Sequence, residues 1–386
     1  MKSGENMPIY LDHAATTPMR SEVIEEMTHV MLEEFGNPSS VHAFGRKSSK
    51  KLRESRKLIA DFLRCRPHEI VFNSGGTEGN NTAILGTAFF RKNKGKHIIT
   101  TQMEHHSVLH TMEYLEREHG FEITYLSINE KGQISLEEFE NSLREDTILV
   151  SIMYANNEIG NLLPIRKIGE YLKNHSAVFH VDAVQSFGHE EIFPHEIGIN
   201  LMSVSAHKFN GPKGAGFLFI SDEIQISPLL FGGEQEEKRR AGTENIVGIA
   251  GMAKAVELLS HDEQIRQREH FKLLGKRFLE ILDQEKISYK INGELTQKVP
   301  HILNLHFPNL SSELLLMKLD LAGIAISAGS ACTAGNIEPS HVLRAMYGEA
   351  ADEVEESVRV SLGYNTKIEE VEKLAQELVK ICKERA

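Results

Sequence analysis

The sequence predicts an α/β protein in which a large unit, built on a mostly parallel sheet flanked by helices, is joined to a smaller α+β unit. Three observations carry this. Between about residues 70 and 205, short continuous apolar runs alternate with helix-like segments. Continuous runs, rather than alternating apolar and polar residues, mark strands covered on both faces, as in parallel sheets. The chain has 386 residues, more than one compact core usually holds. Beyond about residue 284 the pattern changes, and a second unit begins.

In chain order, Ile70-Val71-Phe72 leads through Ser74-Gly75-Gly76-Thr77 into a helix. Ile98-Ile99-Thr100 precedes a helix over about residues 107–118, and the run at 148–152 precedes another over Ile165–Leu172. Apolar runs at 177–181 and 201–205 follow, and after a Pro/Gly turn a further run occupies 217–220. A stretch rich in Ala, Leu, Glu and Lys predicts one long helix over 246–284. The second unit then reads as strand (302–307), helix (Ser312–Leu321), short strand (324–326) and strand (358–362). A final amphipathic helix sets Ile368, Val371, Leu374, Ala375, Leu378, Ile381 and Cys382 on one face, which makes Cys382 a core residue. The expected boundaries are 15–258 for the large unit, with 1–14 and 259–386 forming the small one.

Bulk properties narrow the function classes. Hydrophobic residues make up 40% and charged residues 25%, as in ordinary globular proteins. A net charge of −12 argues against a broad nucleic-acid-binding face. No apolar run reaches membrane-spanning length, and residues 1–6 are polar. The three cysteines, Cys65, Cys332 and Cys382, can form no disulfide framework and lack zinc spacing. Reduced thiols in a cytoplasmic protein are the expectation.

The chemistry is expected where polar residues follow the apolar runs, because ligands of parallel sheets sit at the carboxyl ends of strands. Lys208, in Ser205-Ala206-His207-Lys208, stands at the mouth of the buried sheet. Burying an amine is costly unless it is neutralised or bonded, and one reason to keep it is a covalent bond to a carbonyl cofactor. Gly75, Gly76 and Thr77 open a helix, so they either hold a phosphate or simply cap it. Asp182 ends an apolar strand and suits either a ring-nitrogen partner or a cap. His105 can lie on a ring face; its neighbours His106 and His110 have i, i+4 spacing, but no third metal ligand is suggested. Cys332 sits in Ser327-Ala328-Gly329-Ser330-Ala331-Cys332-Thr333-Ala334-Gly335, a run of small residues suited to a loop that carries one reactive thiol. Arg359 interrupts an apolar strand; it either clamps a carboxylate or faces water from an edge strand.

Together these segments resemble the cysteine desulfurases, fold-type-I enzymes that depend on pyridoxal 5'-phosphate (PLP), in the class with a long catalytic-cysteine loop. The resemblance covers nearly the whole chain. It runs from Tyr10-Leu11-Asp12-His13-Ala14-Ala15-Thr16-Thr17-Pro18 through Asn156-Asn157-Glu158-Ile159-Gly160 and His180-Val181-Asp182-Ala183-Val184-Gln185 to Arg240-Ala241-Gly242-Thr243 and Arg359-Val360-Ser361-Leu362-Gly363. It implies that Lys208 is the Schiff-base lysine, that His105 stacks on the ring and that Asp182 pairs with its nitrogen. Gln185 and Asn157 would approach the phenolic oxygen side. Gly76, Thr77, Ser205 and His207 would hold the phosphate, and Thr243 would reach the phosphate of a second subunit, implying a homodimer. Arg359, with Asn157, would bind the substrate carboxylate, and Cys332 would attack the sulfur of L-cysteine. The implied products are L-alanine and a persulfide on Cys332 destined for a protein acceptor, either an iron–sulfur scaffold or a thiolation enzyme. No resident metal is implied, although Cys332 could share an iron–sulfur cluster transiently with a scaffold. Ala328 and Ala334 depart from the family's loop, which has Ser at both positions. An aminotransferase or selenocysteine lyase of the same fold, or a non-catalytic scaffold protein, stays open as an alternative. Cys332 is the residue that discriminates, since an aminotransferase needs no nucleophilic thiol.

Overall fold

The structure is a computed structural model that describes residues 8–329 and 339–384. In chain order it contains β1 (Ile9–Tyr10), α1 (Ser21–Glu33), α2 (Ala43–Leu63), β2 (Ile70–Asn73), α3 (Gly76–Arg91), β3 (His97–Thr101), α4 (His106–His119) and β4 (Glu122–Leu126). There follow α5 (Leu136–Ser142), β5 (Thr147–Met153), α6 (Ile165–Leu172), β6 (Val178–Asp182), α7 (Pro194–Ile197), β7 (Leu201–Ser205) and β8 (Gly216–Ile220). After α8 (Ile246–Glu257) and α9 (His261–Gln284) come β9 (Lys290–Ile291), β10 (Ile302–His306), α10 (Ser312–Leu321) and β11 (Ile324–Ala325). The last elements are α11 (His341–Tyr347), α12 (Asp352–Glu355), β12 (Ser357–Ser361) and α13 (Ile368–Lys383).

A seven-stranded sheet has the order β2-β8-β7-β6-β5-β3-β4. Only β8 among its strands runs against its neighbours, β2 and β7; the other pairings are parallel. Both faces are covered, which is why these strands read as continuous apolar runs. Phe179 and Val181 of β6 face one apolar cluster with Phe187 and Phe217, while Val178 faces another with Ile98, Leu149 and Leu218. Each such side chain taken from water contributes about 1.5–3 kcal/mol. The parallel arrangement delivers the carboxyl ends of β2, β3, β5, β6 and β7 to one edge.

A separate cluster joins Ile9 and Leu11 to Phe271, Leu274 and Phe278 of α9, Leu305 of β10, Val358 of β12 and Leu374 of α13. It surrounds the antiparallel sheet β12-β10-β9 and the parallel pair β1-β11. The N-terminal segment therefore packs with the C-terminal third. Val342, Leu343 and Met346 of α11 instead belong to the cluster of the large sheet.

Three local expectations change. The single helix over 246–284 is two helices, because Ser260 caps α9 by accepting the N–H of Glu263. Strand β4 was not anticipated: four of its five residues are partly or fully exposed, so it carries no continuous apolar run. Cys382 is half-buried at the margin of its cluster rather than inside it.

Candidate active site

The strand ends meet around a cavity of about 280 Å³ lined by residues from both parts of the chain. At the end of β2, Asn73 Oδ1 accepts the N–H of Gly75 at 2.9 Å, and Gly75 turns the chain into α3 with φ +140°. A Cβ on Gly76 would lie 2.7 Å from Val184 Cγ2, so only glycine lets the helix start this close to β6. The first N–H groups of α3 have no intrahelical acceptor, and Gly76, Thr77 and Ser205 line the cavity where that helix begins.

Asp182 ends β6 and is 5% exposed. Two neutral amides donate to it: Asn80 Nδ2 to Oδ2 at 2.7 Å and the Val184 N–H to Oδ1 at 2.9 Å. Lys208 follows β7, and its Nζ donates to the carbonyl oxygens of Ala14 at 2.6 Å and Ala15 at 2.9 Å. Gln185 Nε2 donates to the same Ala14 carbonyl at 2.8 Å. His105 is the N-cap of α4. Its Nδ1 accepts the Ser107 N–H at 3.1 Å, which leaves the ring proton on Nε2 and fixes the ring at the cavity wall. Burial holds the His105 ring below its ordinary value. His207, against Thr16 Oγ1 at 3.1 Å, is pushed down to about 4 by burial and the neighbouring Lys208.

Arg359 reaches the cavity from β12. It is 1% exposed, with Nη2 2.8 Å from Asp12 Oδ1 and Nη1 donating to the Asn157 carbonyl at 3.0 Å. It does not face water; Ser327 covers the edge of β12 through hydrogen bonds in both directions with the Arg359 backbone. The structure thus brings Gly76, Thr77, His105, Asn157, Asp182, Gln185, Ser205, His207, Lys208 and Arg359 together. Thr243 is exposed and does not line this cavity. Cys332 lies outside the described residues. Sequence reasoning missed Asn80 and Asp12. Asn80 had a signal: it is polar, four residues after Gly76, and so on the same helix face.

Comparison with known proteins agrees with this geometry. Residues 9–374 match the model of the class-V aminotransferases. A Bacillus subtilis (strain 168) protein provisionally named cysteine desulfurase IscS 1 is 50% identical over 375 residues, 97% of this chain and 98% of that protein. Cysteine desulfurase IscS of Methanosarcina thermophila is 46% identical over 374 residues, 97% and 92% of the two chains. This chain belongs to the cysteine desulfurases of the class-V aminotransferase family. Among solved structures, a NifS-like protein superposes with a TM-score of 0.90 at 34% identity, covering 97% of this chain and 99% of its own.

Enzymes of this family depend on PLP, and the residues of this desulfurase fit that group. Asp182 is a buried carboxylate on the cavity wall, and a protonated pyridine nitrogen is a group with which it can pair. The close approach of Gly76 to β6 leaves backbone N–H groups at the start of a 16-residue helix, beside hydroxyls of Thr77 and Ser205, for a phosphate. The Lys208 amine stands in the same cavity for the aldehyde.

Proposed function

We propose that this chain converts L-cysteine to L-alanine and leaves the sulfur as a persulfide on Cys332. The observation that carries the reading is the convergence of the Lys208 amine, the Asp182 carboxylate and the Arg359 guanidinium on one cavity. An amine, a ring-nitrogen partner and a carboxylate clamp are what decomposition of an amino acid on PLP requires.

When bound, PLP supplies an electron sink that lowers the cost of removing the substrate's Cα proton. Asp182 keeps the ring nitrogen protonated, and His105 holds the ring face. Gly76, Thr77, Ser205 and His207 hold the phosphate, with His207 as a neutral ring. Asn157 and Gln185 flank the phenolic oxygen. Arg359 orients the substrate carboxylate. The Lys208 amine would move the proton at Cα. The Cys332 thiolate attacks the substrate Sγ; the S–S bond forms as the Cβ–S bond breaks, and Cβ takes a proton to give alanine. Substrate carbon is reduced as sulfur is oxidised, so no external oxidant is required.

Two further parts belong to this reading. Thr243, away from the cavity of its own chain, serves the phosphate of a second copy, so the enzyme is a homodimer. The exposed apolar side chains Met31, Leu32, Phe35, Val41 and Phe44, at the end of α1 and the start of α2, support a surface there that a second copy covers. Residues 15–258 form the large domain, and 1–14 with 259–386 the small one; the cluster joining Ile9 and Leu11 to α9 and α13 supports this. The unpaired thiols Cys65 and Cys382 fit a reducing cytoplasm, and no described helix is long and apolar enough to cross a membrane. The sulfur goes on to a protein acceptor, an iron–sulfur scaffold or a thiolation enzyme.

The test incubates the PLP-loaded protein with L-cysteine and measures alanine together with the mass of the Cys332 peptide. Alanine and a gain of one sulfur atom on that peptide are expected, and Cys332→Ala should abolish both. Full alanine production by Cys332→Ala would refute the persulfide route. Lys208→Ala should lose the cofactor's visible absorbance.

A further inference from the structure

We propose that Glu104 is a positioning residue for the cofactor ring: its carboxyl bridges β3 and β5 where the two strands part, and so sets His105 relative to Asp182. This rests on the placement of the ring between those two residues proposed above, and it concerns a side chain that does not itself line the cavity.

Strands β3 and β5 are neighbours in the sheet, yet their pairing ends at Ile99 with Val150. Each stays paired on its other side, β3 with β4 as far as Thr101 with Leu126, and β5 with β6 as far as Met153 with Asp182. The ends of β3 and β5 thus part beside the cavity that Met153 lines, and the Met153 N–H needs an acceptor other than the neighbouring strand. Glu104 supplies it. Its Oε1 accepts the Met153 N–H at 3.0 Å and the Thr101 hydroxyl at 2.8 Å, joining the last residues of the two strands. The main chain around it is also held. The Glu104 carbonyl bonds to His341 Nε2 at 2.9 Å, and the Met103 carbonyl accepts Asn156 Nδ2 at 3.0 Å.

From this one oxygen the path to both ring contacts is short. His105 is the next residue, and Met153 is the register partner of Asp182. Glu104 is completely buried, and its Oε2 has no hydrogen-bond partner. Burial pushes the carboxyl up to about 8, against the pull of its two hydrogen bonds. At neutral pH the side chain is therefore mainly the uncharged acid, and Asp182 carries the negative charge beside it. What Glu104 offers is an oxygen acceptor of the right reach, not a charge. A neutral side chain of the same shape can do the same work, whereas an apolar one leaves a buried N–H and a buried hydroxyl unpaired. A purely structural Glu104 would change stability without changing how the cofactor is held.

The experiment uses the PLP-loaded protein and reads two properties of the bound cofactor: its dissociation constant, and the circular dichroism of its visible band per bound cofactor. Glu104→Leu should weaken PLP binding at least about tenfold and lower the dichroism by about half or more. Glu104→Gln, which keeps an oxygen for both donors, should hold both readings within about twofold of the unaltered protein. Thr101→Val, which removes one donor and keeps the shape, should fall between the two. Gly169→Ala, where a side chain would meet the Ile197 carbonyl on a different pair of helices, tests stability alone and should leave both readings unchanged. Equal losses in Glu104→Gln and Glu104→Leu, a Glu104→Leu protein with both readings unchanged, or a comparable loss in Gly169→Ala would overturn the proposal. Should Glu104→Leu not fold, a loss with Glu104→Gln or none with Thr101→Val would overturn it. Asp182→Asn should weaken PLP binding and shift the visible band; if it did neither, the placement of the ring nitrogen on Asp182 would fall, and the proposal with it.

Discussion

Asn80 shows how much of the site's chemistry depends on a neutral neighbour. Its Nδ2 is shared between Asp182 Oδ2 at 2.7 Å and Ser107 Oγ at 2.9 Å, in a region closed to water. Removing that donor leaves a buried carboxylate oxygen without a partner, which costs about 1–3 kcal/mol. A protonated ring nitrogen placed against Asp182 offsets part of that cost. Asn80→Ala should therefore destabilise the PLP-free protein more than the PLP-loaded one, widening the gap between their melting temperatures; equal shifts would count against an Asp182–ring contact. Asp12 plays a related part for Arg359. It neutralises a guanidinium that is otherwise sealed from solvent, and Asp12→Ala should raise the KM for L-cysteine at least tenfold as the clamp loses its aim.

At the level of elements, α6 and α7 are packed more closely than any side chain permits. A Cβ on Gly169 of α6 would lie 1.8 Å from the carbonyl oxygen of Ile197, which is backbone and cannot rotate away. Gly169→Ala should cost at least about 1–3 kcal/mol, read as a fall in the urea midpoint, with little effect on KM because the contact is remote from the cavity. The strands that were legible in the sequence are those buried on both faces: β5, β6 and β7 are dominated by apolar residues, and the helices α6 and α10 fall at their expected residues. Strand β4 escaped because it is an edge strand with only its last residue buried, and the break at Ser260 escaped because a single capping serine interrupts an otherwise helical composition. The cavity was legible as a set of strand-end residues. The bond from Lys208 to the Ala14 and Ala15 carbonyls was not, since main-chain acceptors leave no mark in the choice of side chain.

Across the whole molecule, buried histidines couple stability to pH. Burial pushes His13 and His189 down to about 4 and His180 to about 3, while the unfolded chain titrates near the ordinary value of about 6.5. Above that value both states are neutral and the contribution is complete. As pH falls toward 4 the unfolded chain takes up protons that the native rings refuse, so stability is lost, by up to about 3 kcal/mol per ring. His189 stacks on His301, itself held well below its ordinary value by burial, with centroids 3.9 Å apart. The urea midpoint should fall steadily from pH 7 to pH 5, and His189→Gln should flatten that slope; a midpoint independent of pH over this range would refute the linkage.

The contact between Asp12 and Arg359 also sets an order of events in time. Its two residues stand 347 positions apart in the chain, and the neighbouring Ser361 N–H to Leu11 carbonyl bond, at 2.8 Å, spans slightly more. During synthesis, at about 5–20 residues per second, the strands of the large sheet are complete long before Arg359 exists. A nascent chain can thus complete the large sheet early, while Leu11 and Asp12 wait for the much later Arg359 and Ser361. Until they meet, the cavity lacks the Arg359 guanidinium proposed above to orient L-cysteine.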